Sequence, residues 1–281
     1  MKYRWLFTLA LSLGWLLMLP AGRWADAGAA ESPWNRVVII GASASAGFVM
    51  SEPLGGPETM NCKLRYYLDA AISPPHPPIR DLSTALMFLN PDALGPEQVD
   101  NAIAAKPTLV IGVDFLFWSC YGRGLTDAGR MRRFEAGLKL LDRIPCPLLV
   151  GDIPDASAAT NTGIIDADMV ADTAVRVAAN ARLKAWAARH AQVAIIPLAQ
   201  FMQRVAANRA VTVHGRKFAA GTTRRFLQDD ELHPTPTGAA LLALGIMDAL
   251  VRKDRQFPTQ DVRWSQSEVY RLGYQSAQKD R

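Results

Sequence analysis

The sequence contains few of the side chains that build metal sites and disulfide frameworks. Its 281 residues include three cysteines and four histidines. Cys62, Cys120 and Cys146 fit no zinc-binding spacing, and the histidines belong to no spaced ligand cluster. We therefore expect no catalytic metal. Cys146 lies in the apolar run IPCPLLV, and we expect it to be a small buried residue rather than a reactive thiol.

A concentrated positive charge is also missing. The formal net charge is +5, of which Lys2, Arg4 and Arg23 against Asp26 supply +2 within residues 1–27. The remaining +3 is spread along the chain, with no basic cluster that is interleaved with aromatic residues. These features argue against a nucleic-acid partner.

The apolar run at residues 5–19 is too short for an ordinary membrane span. Positive residues precede the run, Pro20 breaks it, and residues 25–29 offer small side chains at the spacing of a cleavage site. This pattern predicts a signal peptide over residues 1–27. The protein is then expected to be periplasmic or secreted, with no stable membrane insertion after cleavage. An uncleaved anchor is the alternative.

Short aliphatic runs alternate with helical patterns along the rest of the chain. The predicted strands are 37–40, 78–82, 108–113, 147–152 and 192–198, and the predicted helices are 64–72, 96–105, 127–143, 169–190 and 237–252. The strand runs are continuously aliphatic, which is typical of parallel strands that helices cover on both faces. The alternation of strands and helices along the chain indicates a doubly wound α/β architecture.

One domain over residues 33–253 accounts for this pattern. Residues 210–221 break the rhythm, and we expect a small hairpin or a loop there, before the last helix. Residues 254–281 form a polar tail in which Trp264, Tyr270 and Tyr274 are possible docking points. Such a tail is expected to pack loosely or to be disordered.

Small residues follow the first predicted strand in the stretch GASASAG, residues 41–47. Ser43 falls at the carboxyl end of that strand, where open α/β sheets bind their ligands. A dinucleotide-binding loop needs a glycine at the position of this serine, and a phosphate loop needs a Gly-Lys-Ser/Thr ending that is absent. An α/β-hydrolase elbow needs Gly-x-Ser-x-Gly, which the stretch also lacks. A presented nucleophile and a plain tight turn both remain open.

A possible partner for a serine nucleophile lies near the end of the chain. Asp230 and His233 are three residues apart in the stretch DDELHPTPTG. In a turn, this spacing lets the carboxylate reach the near ring nitrogen, which leaves the far nitrogen free to accept a proton from a serine. Pro236 suits the first turn of the helix that follows, with Thr235 or Thr237 as its cap.

Three segments in this order resemble the SGNH, or GDSL-type, hydrolase superfamily. Gly41-Ala42-Ser43 with Gly47 is similar to its first block, Gly112-Val113-Asp114 to its third, and Asp230-Glu231-Leu232-His233-Pro234 to its last. The resemblance implies a three-layer α/β/α, flavodoxin-like fold with a mostly parallel sheet of about five strands. It also implies a serine esterase or a related acyl hydrolase that needs no cofactor.

The resemblance assigns Ser43 as nucleophile, His233 as base and Asp230 as its partner, but the chain departs from the family pattern elsewhere. Ala42 replaces an aspartate, and residues 79–85 lack the glycine of the second block, so the N–H of Ser83 stands in as oxyanion donor beside that of Ser43. Asp114 replaces an asparagine that donates to the oxyanion, and it could donate only in its protonated form.

Four residues that follow the third strand are candidates for the lining of an acyl pocket, or else are anchors of the core or of a loop: Phe115, Leu116, Phe117 and Trp118. The function expected is therefore an exported esterase that cleaves a small-molecule, glycan or lipid ester by a Ser-His-Asp mechanism. The alternative is a catalytically impaired binding protein of the same fold, which holds a glycan or lipid of the cell envelope.

Overall fold

Five short strands, four of them aliphatic, form the central sheet of the computed structural model, which describes residues 31–281. They are β1 Val37–Ile39, β2 Arg80–Asp81, β3 Leu109–Gly112, β4 Leu148–Gly151 and β5 Val193–Ile196. Their order in the sheet is β2-β1-β3-β4-β5, and all four neighbouring pairs are parallel. This is the flavodoxin-like doubly wound order, so the predicted fold class is confirmed.

Helices connect the strands and extend beyond the last of them. Within residues 31–281 they are α1 Ser43–Ala46, α2 Pro57–Asn61, α3 Leu64–Ala71, α4 Pro91–Ala104, α5 Phe117–Cys120, α6 Asp127–Leu141, α7 Thr173–Ala187, α8 Leu198–Ala206, α9 Pro236–Lys253 and α10 Gln266–Lys279. Between α8 and α9, strands β6 Val211–Val213 and β7 Arg216–Phe218 pair antiparallel as a small hairpin. The interruption predicted at residues 210–221 is this hairpin.

Successive side chains of the four aliphatic strands join two separate cores. In β1, Val37 and Ile39 join the core under α3, α9 and α10, whereas Val38 joins the core under α4, α6 and α7. Strands β3, β4 and β5 divide in the same way, because neighbouring residues of a strand point to opposite faces. The continuous aliphatic runs of the sequence therefore supply both layers of the sandwich.

The C-terminal segment, residues 254–281, differs from the loose or disordered tail that its polar composition suggests. It ends in α10, which packs on α3 and α9, and the compact unit runs from Ser32 to Arg281. Val269, Gly273 and Ala277 are buried at intervals of four residues. This narrow stripe of small side chains suffices to dock a helix whose other faces are polar.

The signal peptide predicted over residues 1–27 lies outside the described residues. Across residues 31–281, no helix has the length and apolar character that crossing a membrane requires.

Candidate active site

Ser43 begins helix α1 immediately after β1, at the carboxyl edge of the sheet. The chain reaches this position through Gly41, whose φ is +150°. A Cβ on Gly41 would lie 2.1 Å from an Asp114 oxygen, so only glycine fits there. The tight, small-residue stretch after the first strand therefore presents a serine at the edge where ligands bind.

A buried glutamine holds this turn in place. The N–H of Gly41 donates to Gln98 Oε1 at 2.7 Å, and Gln98 Nε2 donates to the carbonyl of Gly41 at 3.0 Å. Gln98 lies on α4 next to core residues and is 5% exposed. The sequence pattern did not point to Gln98, because a single polar residue in a helix carries no signal of the turn it contacts, 57 residues earlier.

The histidine lies in a closed loop that leads into α9. Leu227 and Pro234 form an antiparallel bridge at its base, and the N–H of Gln228 donates to the carbonyl of His233 at 2.8 Å. Glu231 adopts a left-handed conformation with φ +62°, which tightens the turn between Asp230 and His233. The loop thus fixes the aspartate and the histidine relative to each other.

Phe48 and the start of α9 position this loop against the rest of the fold. The Phe48 ring lies 4.5 Å from the His233 ring, centroid to centroid, and Gln228 Nε2 donates to the carbonyl of Phe48 at 2.7 Å. Thr235 caps α9 by accepting the N–H of Gly238 at 3.1 Å. A Cβ on Gly238 would lie 1.8 Å from the carbonyl oxygen of Phe226, so this close approach requires glycine.

Ser43, His233 and Asp230 form an unbroken chain of hydrogen bonds. The distance from Ser43 Oγ to His233 Nε2 is 2.7 Å, and the distance from His233 Nδ1 to Asp230 Oδ2 is also 2.7 Å. Asp230 Oδ1 accepts the N–H groups of Leu232 and His233 at 2.9 Å each. A hydroxyl, an imidazole and a carboxylate at these distances can activate the hydroxyl as a nucleophile.

The carboxyl group of Asp230 is stabilised in its charged form. Burial alone would raise its pKa, but the hydrogen bond from His233, the charge of a protonated His233 and the two backbone N–H groups together lower it below the ordinary value. An ionised Asp230 can accept the Nδ1 proton of His233 and stabilise the imidazolium that forms when His233 takes a proton.

Asp114 reaches the site, but it acts as an acceptor and not as the oxyanion donor expected for this position. Its Oδ2 accepts the N–H groups of Ala44 and Ser45 at 2.9 and 3.1 Å, and its Oδ1 is 2.6 Å from the Ser45 hydroxyl. The carboxylate therefore caps the short helix α1 that begins with Ser43, and its oxygens are directed at that backbone.

Ser83 is likewise engaged elsewhere. Its N–H donates to Asp81 Oδ1 at 3.0 Å, and its hydroxyl donates to the same oxygen. The expected second backbone donor is therefore already bonded. The N–H of Ser43 has no acceptor in residues 31–281, so it is the expected donor that remains available.

Of the four residues proposed for the acyl pocket, Phe117 lines the cavity at Ser43, whereas Phe115, Leu116 and Trp118 do not. Phe115 packs in the core near Gly95 of α4, and Trp118 packs against Phe117, with its Nε1 buried and without a hydrogen-bond partner among residues 31–281. Phe117 is the first residue of α5. The rotation of this short helix about its axis decides which of its side chains faces the cavity, and the sequence pattern does not determine that rotation.

The cysteines are unpaired, and burial lowers their reactivity. Burial raises the pKa of Cys62 and of Cys120 to about 12, and that of Cys146 to about 11. Cys146 is half-buried rather than fully buried. In residues 31–281, no three His, Cys, Asp or Glu side chains are grouped as a metal ion would require.

No model of a known protein family matches the sequence, and no curated protein matches it. A solved lipase/acylhydrolase from Enterococcus faecalis is similar over 82% of this chain and 98% of its own, with 16% identity and a TM-score of 0.46. A protein from Slackia heliotrinireducens, proposed to be an SGNH hydrolase, is similar over 77% and 98%, with 14% identity and a TM-score of 0.42. Similarity this low assigns no activity, so the chemistry of this chain is judged from its own residues.

Proposed function

We propose that the protein is a serine hydrolase that cleaves carboxylic esters, with Ser43 as nucleophile, His233 as general base and acid, and Asp230 as the group that orients His233. The observation that carries the proposal is the hydrogen-bond chain through these three side chains, with 2.7 Å at each step. The proposal includes export, which rests on the pattern of residues 1–27.

The reaction has two steps, acylation of Ser43 and hydrolysis of the acyl group. Ser43 Oγ attacks the carbonyl carbon while its proton moves to His233 Nε2, which gives a tetrahedral oxyanion. The bond from carbon to the alcohol oxygen then breaks, His233 returns the proton to the leaving alcohol, and an acyl group remains on Ser43. Water repeats the sequence on the acyl group, so that one ester and one water yield one acid and one alcohol.

The oxyanion hole of this site is expected to be weaker than one with three donors. The Ser43 N–H is free to donate, whereas Asp114 and the Ser83 N–H are engaged in other bonds. Losing one donor costs roughly 10²–10³ in rate. We therefore expect slow turnover of simple esters, although the nucleophile and its base are well aligned.

Replacing Ser43 tests the proposal directly. We expect Ser43→Ala to abolish both the turnover of p-nitrophenyl acetate and labelling by a fluorophosphonate probe, with the circular dichroism spectrum and the Tm unchanged. Ser51→Ala is the matched control, because Ser51 is an exposed serine outside the cavity at Ser43. Undiminished turnover or labelling in Ser43→Ala would refute the role of Ser43. A folded wild type that neither reacts with the probe nor cleaves any ester would favour the alternative of a non-catalytic binding protein.

A further inference from the structure

The cavity at Ser43 adjoins a second cavity that runs deeper into the fold. The first is lined by Ser43, His233 and Phe117 among others. Five residues line both cavities: Ala44, Asp114, Leu198, Met202 and Leu232. The second cavity thus begins beside the cavity that contains the Ser43 hydroxyl, and it lies between α8, α9 and the histidine loop.

The walls of the deeper cavity are almost entirely apolar. Beyond the shared residues, its side chains include Phe201, Val205, Phe226 and Leu242. The carboxylate of Asp114 is the charged group at its rim, and its oxygens already accept three hydrogen bonds from α1. A sugar hydroxyl placed in this cavity would find few partners for its hydrogen bonds, which is costly. A hydrocarbon chain would lose no hydrogen bonds there.

Helix α8 supplies the floor of this cavity through one apolar stripe. Leu198, Phe201, Met202 and Val205 follow the spacing i, i+3, i+4, i+7, and all four line it. Gln203, on the opposite face, is exposed. From Leu198 to Val205 the helix rises roughly 10 Å, about the length of an extended octanoyl chain and well short of a palmitoyl chain. The cavity itself has a volume of about 40 Å³, so an acyl chain must push aside the half-buried side chains of Phe201 and Met202 to enter it.

We propose that this cavity binds the acyl chain of the substrate, and that the substrates are esters of medium-chain fatty acids. The inference rests on the proposed function and extends it from ester hydrolysis in general to a substrate class. It disfavours acetylated glycans, whose acyl group is too short to enter the deeper cavity.

A series of p-nitrophenyl esters tests the inference on the wild type. Each buried methylene should add roughly three- to fourfold to kcat/KM, so we expect a rise from acetate through butyrate to octanoate and a fall at palmitate. A profile that is flat, or highest at acetate, would overturn the acyl pocket and leave the proposed hydrolase intact.

Filling the cavity should shorten the preferred chain. We expect Val205→Phe and Met202→Phe to lower the ratio of kcat/KM for octanoate to that for acetate by tenfold or more. Met202 is only half-buried, so its variant should fold even if the replacement of buried Val205 does not. Gln203→Phe is the matched control, since it adds the same ring on the exposed face of α8 and should leave the ratio unchanged. An unchanged ratio in a folded Met202→Phe would contradict the inference.

A binding measurement separates the pocket from the chemistry. Calorimetric titration of Ser43→Ala with methyl octanoate should show binding that Met202→Phe, introduced into the same variant, weakens at least tenfold. If no ester is cleaved but this binding is observed, the proposed function fails and the pocket stands. If methyl octanoate does not bind to Ser43→Ala, the pocket is refuted whatever the wild type hydrolyses.

Discussion

At the scale of single residues, the pairing of Asp230 with His233 could be predicted because it is local. Three residues of spacing in a turn nearly determine the contact between carboxylate and imidazole. The contacts of Asp114 and Gln98 could not be predicted, because both depend on how distant elements meet at the turn around Gly41. A single sequence identifies a residue type at a strand end, but it does not say which backbone groups that residue will face.

Two replacements of Asp114 separate the effect of its hydrogen bonds to α1 from the effect of its negative charge. In Asp114→Asn, the amide oxygen can still accept the N–H groups of Ala44 and Ser45, and the amide nitrogen can donate to the Ser45 hydroxyl. The negative charge that lines the cavity with Ser43 is removed. Because that charge opposes a developing oxyanion, we expect kcat/KM for p-nitrophenyl acetate to rise several-fold.

Asp114→Ala is the matched comparison, since it removes the charge and all three contacts together. The start of α1 then loses its cap, and a misplaced nucleophile should cost roughly 10² in kcat/KM. Equal losses in the asparagine and alanine variants would show instead that the site needs the carboxylate charge itself.

At the scale of elements, the sequence predicted the five strands of the sheet and the five helices α3, α4, α6, α7 and α9. The helix predicted from residue 96 begins at Pro91, where Asn90 provides the cap and Pro91 occupies the first turn. Pro96, where the predicted helix begins, lies inside α4. The largest difference is α10, whose small buried residues carry little hydrophobic signal.

Gly273 tests whether α10 is an integral layer of the fold. A Cβ on Gly273 would lie 2.5 Å from the ring of Tyr67, which is fully buried and whose hydroxyl donates to the carbonyl of Asn61. The ring cannot retreat, so we expect Gly273→Ala to lower the free energy of unfolding by about 1–3 kcal/mol. This outweighs the gain in helix propensity, which is at most about 1 kcal/mol. The measurement is a urea titration followed by circular dichroism.

Ser276→Ala is the control for this prediction, because Ser276 is exposed on the same helix and its replacement should be neutral or slightly stabilising. If Gly273→Ala were as stable as the wild type, α10 would have to be a loosely attached segment, in keeping with the polar composition of residues 254–281.

At the scale of the whole molecule, the site exists only because the fold brings two ends of the domain together. Ser43 and His233 are 190 residues apart in sequence. In the strand order β2-β1-β3-β4-β5, β1 lies between β2 and β3, and its carboxyl end points to the same side of the sheet as the carboxyl ends of the other parallel strands. The histidine loop, at the start of α9, lies on that side as well. The alternation of strands and helices predicts such an arrangement, but the side chains that meet there follow from packing.

Reactivity of Ser43 should therefore disappear together with the global fold. Gln98 holds the serine turn to α4, and the closely packed Gly238 holds the histidine loop to α9. The residues next to that loop, Phe226 and Leu227, belong to the core beneath the sheet. Separating the serine from the histidine thus requires elements of the core to part, and local fraying is not enough.

In a urea titration, we expect the rate of fluorophosphonate labelling and the tryptophan fluorescence to change with the same midpoint. Labelling that is lost at clearly lower urea would show that the histidine loop opens by itself, and that its contacts with α9 and Phe48 contribute little to the stability of the assembled site.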